Sequence, residues 1–297
     1  MTPLFIPNEL IGKIAFKSDR PGTKADDIYI INPDGTGLAL LGGGEGEGNA
    51  CWPYYVAEES DSYSADGRFR VFTKDVIRYR NVDDPVTGET TGVIRDDAPG
   101  IYWYDSLYQT EEQLTQFGAG IAYGGAWSPV REQIAFVSTE SQNDELWVVN
   151  YDSSGLLQVT RDEYAWSDKH PSWSPDGQQI VFHSNRTGHN QIFVMNADGS
   201  NLYSLSRTGY NDFEPVWIKY PGVPLFDAEA PDGITHRGSF GFCGPDANCS
   251  AFNSQPEAQA FFLEANGGQL TLDPHGLDSD HNGKACENLP ESVSTNP

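Results

Sequence analysis

Short runs of apolar residues, each stopped by a tight-turn signal, follow one another along most of this chain. Gln179-Ile-Val-Phe182 and Gln191-Ile-Phe-Val-Met195 are flanked by Ser174-Pro-Asp-Gly177 and Asn196-Ala-Asp-Gly199. Runs of this length, rich in β-branched and aromatic residues and bounded by Pro, Asp, Asn and Gly, predict strands joined by turns. The same order recurs upstream. Ser128-Pro-Val-Arg131 precedes Gln133-Ile-Ala-Phe136, Glu145-Leu-Trp-Val-Val149 and Tyr151-Asp-Ser-Ser-Gly155. Ser64-Ala-Asp-Gly67 precedes Phe69-Arg-Val-Phe72 and Gly100-Ile-Tyr-Trp-Tyr104. Lys13-Ile-Ala-Phe16 precedes Asp27-Ile-Tyr-Ile-Ile31 and Asn32-Pro-Asp-Gly35. Trp127 and Trp173 hold one place in the repeat, 46 residues apart.

A period of about 40–50 residues with four short strands per copy predicts an all-β propeller. One such sheet cannot bury both faces alone, so the copies must stack. Trp127, Trp173 and Trp217 are expected in the core between sheets. Glu214–Lys219 (EPVWIK) matches the opening strand of the repeat, and the first copy, Gly12–Phe16, lacks that strand. The C-terminal strand is therefore expected to join the first copy and latch the array. Four copies are visible. A closed array predicts a monomer, and a half-ring predicts completion by dimerisation.

These motifs resemble the TolB-type β-propeller repeat. The resemblance rests on Trp173-Ser-Pro-Asp-Gly177, Ile180-Val-Phe182, Ser184-Asn-Arg-Thr-Gly188 and Ile192-Phe-Val-Met-Asn-Ala-Asp-Gly199. Ser18-Asp-Arg-Pro-Gly22 and Ile28-Tyr-Ile-Ile-Asn-Pro-Asp-Gly35 repeat it in the first copy. It covers about Gly12 to Tyr220 and implies a propeller fold. Such folds serve as binding scaffolds, as enzyme gates and occasionally as lyases, so fold alone names no activity.

The second copy carries an insertion from about Asp75 to Pro99, where Val76-Ile-Arg-Tyr-Arg80 and Thr91-Gly-Val-Ile-Arg95 predict a protruding hairpin. Loops after second strands and loops leading into first strands share one propeller face. That face is expected to gather the insertion with Arg20, Asp168, His170, Arg186, His189, Asp212 and Glu214 as a ligand mouth. The plainer expectation is that the two aspartates tie loops down and the two arginines brace their neighbours.

Charge narrows the partners. Lys and Arg number 18 against 43 Asp and Glu, a net charge of −25, which repels a phosphate backbone and disfavours nucleic acid. No run approaches the length of a membrane span. The N-terminal MTPLFIPNEL lacks the basic and long apolar regions of a signal peptide.

A second unit is expected after a linker at 221–241, giving a propeller over 1–220 and a small module over 242–297. Ser254-Gln-Pro-Glu257 reads as a helix capping box, with Ala258, Phe261, Phe262 and Ala265 as the apolar face. Then Asp278, Asp280 and Asn282 stand at alternate positions before Gly283, as at the start of an EF-hand loop. Alternate oxygens converge on a hard cation, and the glycine permits the sharp bend. The Lys284 backbone carbonyl and Glu287 complete a predicted Ca2+ ligand set; the position-twelve acid of an EF-hand is Leu289 here. Three of four cysteines, Cys243, Cys249 and Cys286, lie in this unit and the fourth is Cys51. A unit this small needs a staple. Four cysteines allow three full pairings; Cys249–Cys286 is favoured, with Cys243 and Cys51 paired or free.

Asn248-Cys-Ser-Ala-Phe252, Glu257-Ala-Gln259, Asp273-Pro274, Leu277-Asp278 and Asp280 through Glu287 resemble the Excalibur domain, an extracellular calcium-binding module. The resemblance implies Asp278, Asp280, Asn282 and Glu287 as ligands and Cys249–Cys286 as a disulfide. It points to an extracellular, cell-surface or periplasmic place. The reading that follows is a calcium-binding protein whose propeller binds a protein or glycan. The alternative is a lyase or hydrolase acting on a polysaccharide or peptide at the mouth, where His170, His189 and Glu214 would meet. There is no G-x-S-x-G elbow and no H-E-x-x-H helix.

Overall fold

The computed structural model describes residues 6–20, 27–42, 52–116, 120–162 and 166–222. All four cysteines, the capping box at Ser254 and the calcium loop Asp278, Asp280, Asn282, Lys284 and Glu287 lie outside these residues. In chain order the elements are β1 (Ile14–Ser18), β2 (Asp27–Ile31), β3 (Ala39–Gly42), α1 (Trp52–Asp61), β4 (Phe69–Asp83), β5 (Thr90–Asp105), β6 (Thr110–Gln113) and β7 (Ala122–Trp127). There follow β8 (Gln133–Ser138), β9 (Glu145–Asn150), β10 (Leu157–Gln158), β11 (Asp168–Trp173), β12 (Gln179–Ser184), β13 (Gln191–Asn196), β14 (Tyr203–Ser204) and β15 (Asp212–Trp217).

They form four antiparallel sheets, ordered β15-β1-β2-β3, β4-β5-β6, β7-β8-β9-β10 and β11-β12-β13-β14. The expected latch is a strand pairing: Ile14 lies opposite Trp217 and Ser18 opposite Asp212. Its strand runs over Asp212–Trp217, two residues earlier than the apolar run suggested.

Turn chemistry repeats with the strands. Ser64 and Ser174 each donate to an aspartate two residues on, Asp66 and Asp176, at 2.6 Å. Their hydroxyls also accept from the backbone N–H of Phe69 and Gln179, which closes the hairpin between first and second strands. Asn32, Asn150 and Asn196 donate to Thr36, Ser154 and Ser200, each turn held by the intervening Asp34, Asp152 or Asp198. Short polar side chains that bond their own backbone are what fix such turns.

The sheets pack face to face. Trp173, Ile180 and Phe182 of the fourth sheet bury against Val137, Leu146 and Val148 of the third. Trp127 and Phe136 meet Val71 and Ile101 of the second. Phe16 and Trp217 of the first meet Val181 and Val194 of the fourth. The three repeat tryptophans are buried, as expected. Trp173 Nε1 donates to the Ala126 carbonyl at 3.1 Å, and Trp217 Nε1 to that of Gly12 at 3.1 Å. An indole buried with its N–H satisfied contributes its full apolar area.

One expectation needs correction. Among the described residues the second copy's sheet has three strands where four were expected, and a single bridge, Tyr63 to Arg70, marks the opening strand. The helix α1 stands ahead of it in the chain and packs Tyr54, Tyr55, Val56 and Ala57 against Ile28 and Val216 of the first sheet and Ile218 just past β15. Pro53 suits a first helical turn. The buried residues of α1 run consecutively and so give no helical stripe in the sequence. The insertion is a hairpin, as expected: β4 and β5 run on past the sheet, pairing from Phe69↔Asp105 through Asp83↔Thr90.

Candidate functional site

The inner strands β7, β11 and β15 share an irregularity. Each shifts register against its neighbour three or so residues before its tryptophan. At that point Gly124, His170 and Glu214 all have positive φ, at 64°, 59° and 49°. A bulge re-aims side chains, and left-handed backbone in non-glycine residues is costly. The strain brings His170 and Glu214 toward α1.

There the charges are paired. Glu214 accepts from Lys17 Nζ at 2.6 Å, and Lys17 also lies 5.7 Å from the Tyr54 ring centroid. Burial alone would lower the Lys17 pKa; the Glu214 hydrogen bond and charge outweigh it and raise it. His170 Nε2 lies 3.4 Å from Glu58 on α1. Burial pushes the Glu58 pKa up, but His170 outweighs that and holds it below the ordinary range. Tyr54 donates to the Glu214 carbonyl at 2.9 Å. His183 is buried beneath, 6.5 Å from His170 between ring centroids, and its Nδ1 accepts from the Glu214 N–H at 3.2 Å. Burial, with His170 and Lys169 nearby, drives the His183 pKa down to about 3, so it is neutral.

The remaining mouth residues sit at two corners built alike. Arg186 reaches both oxygens of Asp168, at 2.8 and 2.7 Å, and Asp162 at 3.1 Å. Thr160 donates to Glu145 at 2.5 Å and accepts from the Leu146 N–H. At the next corner Arg20 reaches Asp212 at 3.1 and 3.0 Å, Thr208 also donates to Asp212, and Ser206 donates to Gln191. Asp168 and Asp212 are wholly buried. Burial, then the Asp168 charge, raises the Asp162 pKa. Thus each arginine pairs with the aspartate of its own sheet's corner, and the aspartates accept from arginine and hydroxyl side chains where bonds to loop backbone were expected.

His170 and Glu214 are neighbours around the same helix, whereas His189 is exposed on the turn after β12, where its carbonyl accepts from Thr187. Among the described residues, the group with three ligand atoms mutually within 4.8 Å is Glu145, Asp162 and Asp168. It contains none of His170, His189 and Glu214, and Arg186 already supplies its cation. Sequence reasoning missed Lys17, Glu58, His183, Thr160 and Ser206. Leu114-Thr115, Val159-Thr160 and Leu205-Ser206 recur in register and were a usable signal for the corner hydroxyls. Glu58 had none, because α1 belongs to no repeat.

Residues 94–222 match the family model of the TolB beta propeller domain, and residues 246–287 match that of the Excalibur calcium-binding domain. The chain carries a TolB-type β-propeller followed by an Excalibur domain. Solved structures similar to the TolB-type propeller include one described as TolB from Agrobacterium tumefaciens, with 22% identity, 69% of this chain and 63% of that chain covered, and a TM-score of 0.39. Another is TolB from Acinetobacter baumannii, with 15% identity, 72% and 68% coverage and a TM-score of 0.37. A third is an oligogalacturonate lyase in complex with manganese, with 15% identity, 61% and 47% coverage and a TM-score of 0.34. The chain therefore spans 63% of the first of these proteins. Curated protein sequences show no match. Among the described residues, no helix is long and apolar enough to cross a membrane.

Proposed function

We propose that this is a secreted or surface-associated calcium-binding protein whose propeller, over residues 1–220, is a scaffold for a protein or glycan partner. The Excalibur match at 246–287 supports the calcium half, because Asp278, Asp280, Asn282 and Glu287 fall inside it at the spacing of a hard-cation loop. In this reading the Lys284 carbonyl joins the ligand set and Cys249–Cys286 staples the module in an oxidising compartment, extracellular or periplasmic. Residues 221–241 link the two units. In this reading the four sheets together with α1 close a ring latched by β15, and the protein is a monomer.

The observation that supports the scaffold half is that the mouth residues named above, His189 aside, are engaged by other side chains: Arg20 with Asp212, Arg186 with Asp168, His170 with Glu58, and Glu214 with Lys17. Groups so engaged hold sheets together and hold a shape for a partner. Calorimetric titration of the full oxidised chain tests the calcium half. One Ca2+ is expected to bind and to raise Tm, and Asp280→Ala is expected to abolish both. An unchanged titration in Asp280→Ala would refute the loop.

A further inference from the structure

The corner hydrogen bonds recur in three sheets, and one corner lacks its central side chain. Leu146, Ile192 and Ile101 each donate their backbone N–H to a corner hydroxyl, Thr160, Ser206 and Thr115, at 2.8, 2.9 and 3.0 Å. In the first two the hydroxyl then donates to the side chain just before that strand residue, Glu145 or Gln191. At the third the corresponding residue is Gly100. Thr115 is 5% exposed, and its hydroxyl hydrogen has no acceptor among the described residues. The hydroxyl oxygen lies 3.6 Å from where a Gly100 Cβ would stand, and Thr115 and Gly100 line one cleft.

The other two members of the corner are also changed. Ala122 stands where the others have Asp168 and Asp212, opposite Ser138, Ser184 and Ser18. Glu140 stands where the others have Arg186 and Arg20, two residues past those serines. The result is a cleft of about 240 Å³, lined by Val76, Pro99, Gly100, Gln113, Thr115 and Gly120 among others. A Cβ at Gly100 would meet Val76 Cγ2 at 2.7 Å, so the base of the inserted hairpin itself keeps a side chain out. Glu140 accepts from the Gly120 N–H at 2.7 Å on the cleft wall.

An open strand edge leads to this cleft. β6 pairs with β5 only over Tyr102–Asp105. Ile101 turns its carbonyl and N–H toward Leu114 and Thr115, so by strand alternation Asp97, Arg95 and Val93 present theirs to the same side. No described strand pairs there. Pro99 is the one position on that row with no N–H to offer.

We propose that this edge and cleft together bind an extended peptide, whose carboxamide side chain, glutamine or asparagine, fills the place that Glu145 and Gln191 fill in the other corners. Strand addition supplies the main-chain bonds and the cleft supplies the selectivity. The amide oxygen accepts from Thr115. With Glu140 where the arginine would be, a neutral amide is favoured over a carboxylate. The proposal rests on the scaffold reading and names its partner; the calcium half of that reading stands or falls separately.

The test uses the full chain and a fluorescein-labelled, blocked pentapeptide of alternating valine and threonine around a central glutamine, with glutamate and alanine counterparts. Anisotropy is expected to show the glutamine peptide binding at least ~10-fold tighter than the other two, a difference of about 1.4 kcal/mol. Thr115→Val is expected to erase that preference. Glu140→Arg, at an exposed position, restores the cation of the other corners and is expected to move the preference to the glutamate peptide. Equal binding of the three peptides, no binding up to about 1 mM, or an unchanged preference in Glu140→Arg would each overturn the proposal. The wild-type peptide comparison and Glu140→Arg decide the matter even where Thr115→Val fails to fold.

Discussion

His170 and Glu214 occupy one position in adjoining inner strands, three residues ahead of Trp173 and Trp217, and both hold left-handed backbone, at φ 59° and 49°. The third inner strand has Gly124 there, at φ 64°. Side chains are thus kept at strained positions beside α1, where a glycine would sit without cost.

The strain predicts an inverted ranking. Glu214→Ala and Glu214→Gly both lose the Lys17 pair, so their difference isolates the backbone. Glycine is expected to be the more stable by about 1 kcal/mol, against the usual order in a strand. Urea melts of the two variants measure this, and an alanine variant at least as stable as the glycine one would dispose of the strain argument.

Neutral His183 predicts a pH dependence. Its folded pKa, about 3, lies below the ordinary value of 6.5. Below pH 6.5 the unfolded chain takes up a proton that the folded chain refuses. The stability from this residue is therefore whole above that pH and is lost as pH falls toward 3, at up to about 1.4 kcal/mol per pH unit. The many carboxylates add their own acid dependence, so the informative quantity is the difference between wild type and His183→Gln. That difference is expected to change with pH between about 6.5 and 4; a constant difference would show that His183 charges in the fold.

Lys219 and Asp61 form a pair that joins the end of the repeat array to α1, with their side chains 1% and 10% exposed. Lys219→Met is expected to cost about 3 kcal/mol, because it strands a buried carboxylate. Lys219→Met with Asp61→Leu is expected to recover most of that loss, since an apolar pair of similar volume needs no desolvation. Thermal melts of the two variants give the answer, and a double variant as weak as the single would contradict it.

Ser128 offers a gain. Its buried hydroxyl has no partner among the described residues, whereas Ser64 and Ser174 donate to Asp66 and Asp176. Val130 holds the aspartate's place and is exposed. Val130→Asp is expected to stabilise the protein by about 1 kcal/mol by restoring the bond. A lower Tm would mean that the turn after Trp127 differs from the other two.

Legibility followed repetition. Turns such as Ser174-Pro-Asp-Gly177 and strands such as Gln179–Ser184 were readable because their signal is local and recurs, and the hairpin arm was readable because its apolar runs flank a turn. The corner hydroxyls Thr115, Thr160 and Ser206 also recur, but a lone Thr or Ser is an ordinary surface residue until its partner is known. Lys17, Glu58 and His183 recur nowhere, and their roles come from segments far apart in the chain.

The sequence by itself determined the repeat unit, the strand that joins the two ends of the array, and the acidic loop matched to the Excalibur domain, because each depends on residues close together or on identity between copies. Only the tertiary structure decided that a helix stands ahead of the second sheet's strands, that the named mouth residues other than His189 are engaged by other side chains, and that Thr115 lines a cleft beside Gly100. Those facts depend on which side chains meet across the fold, and through-space burial and pairing leave no periodic trace along a chain.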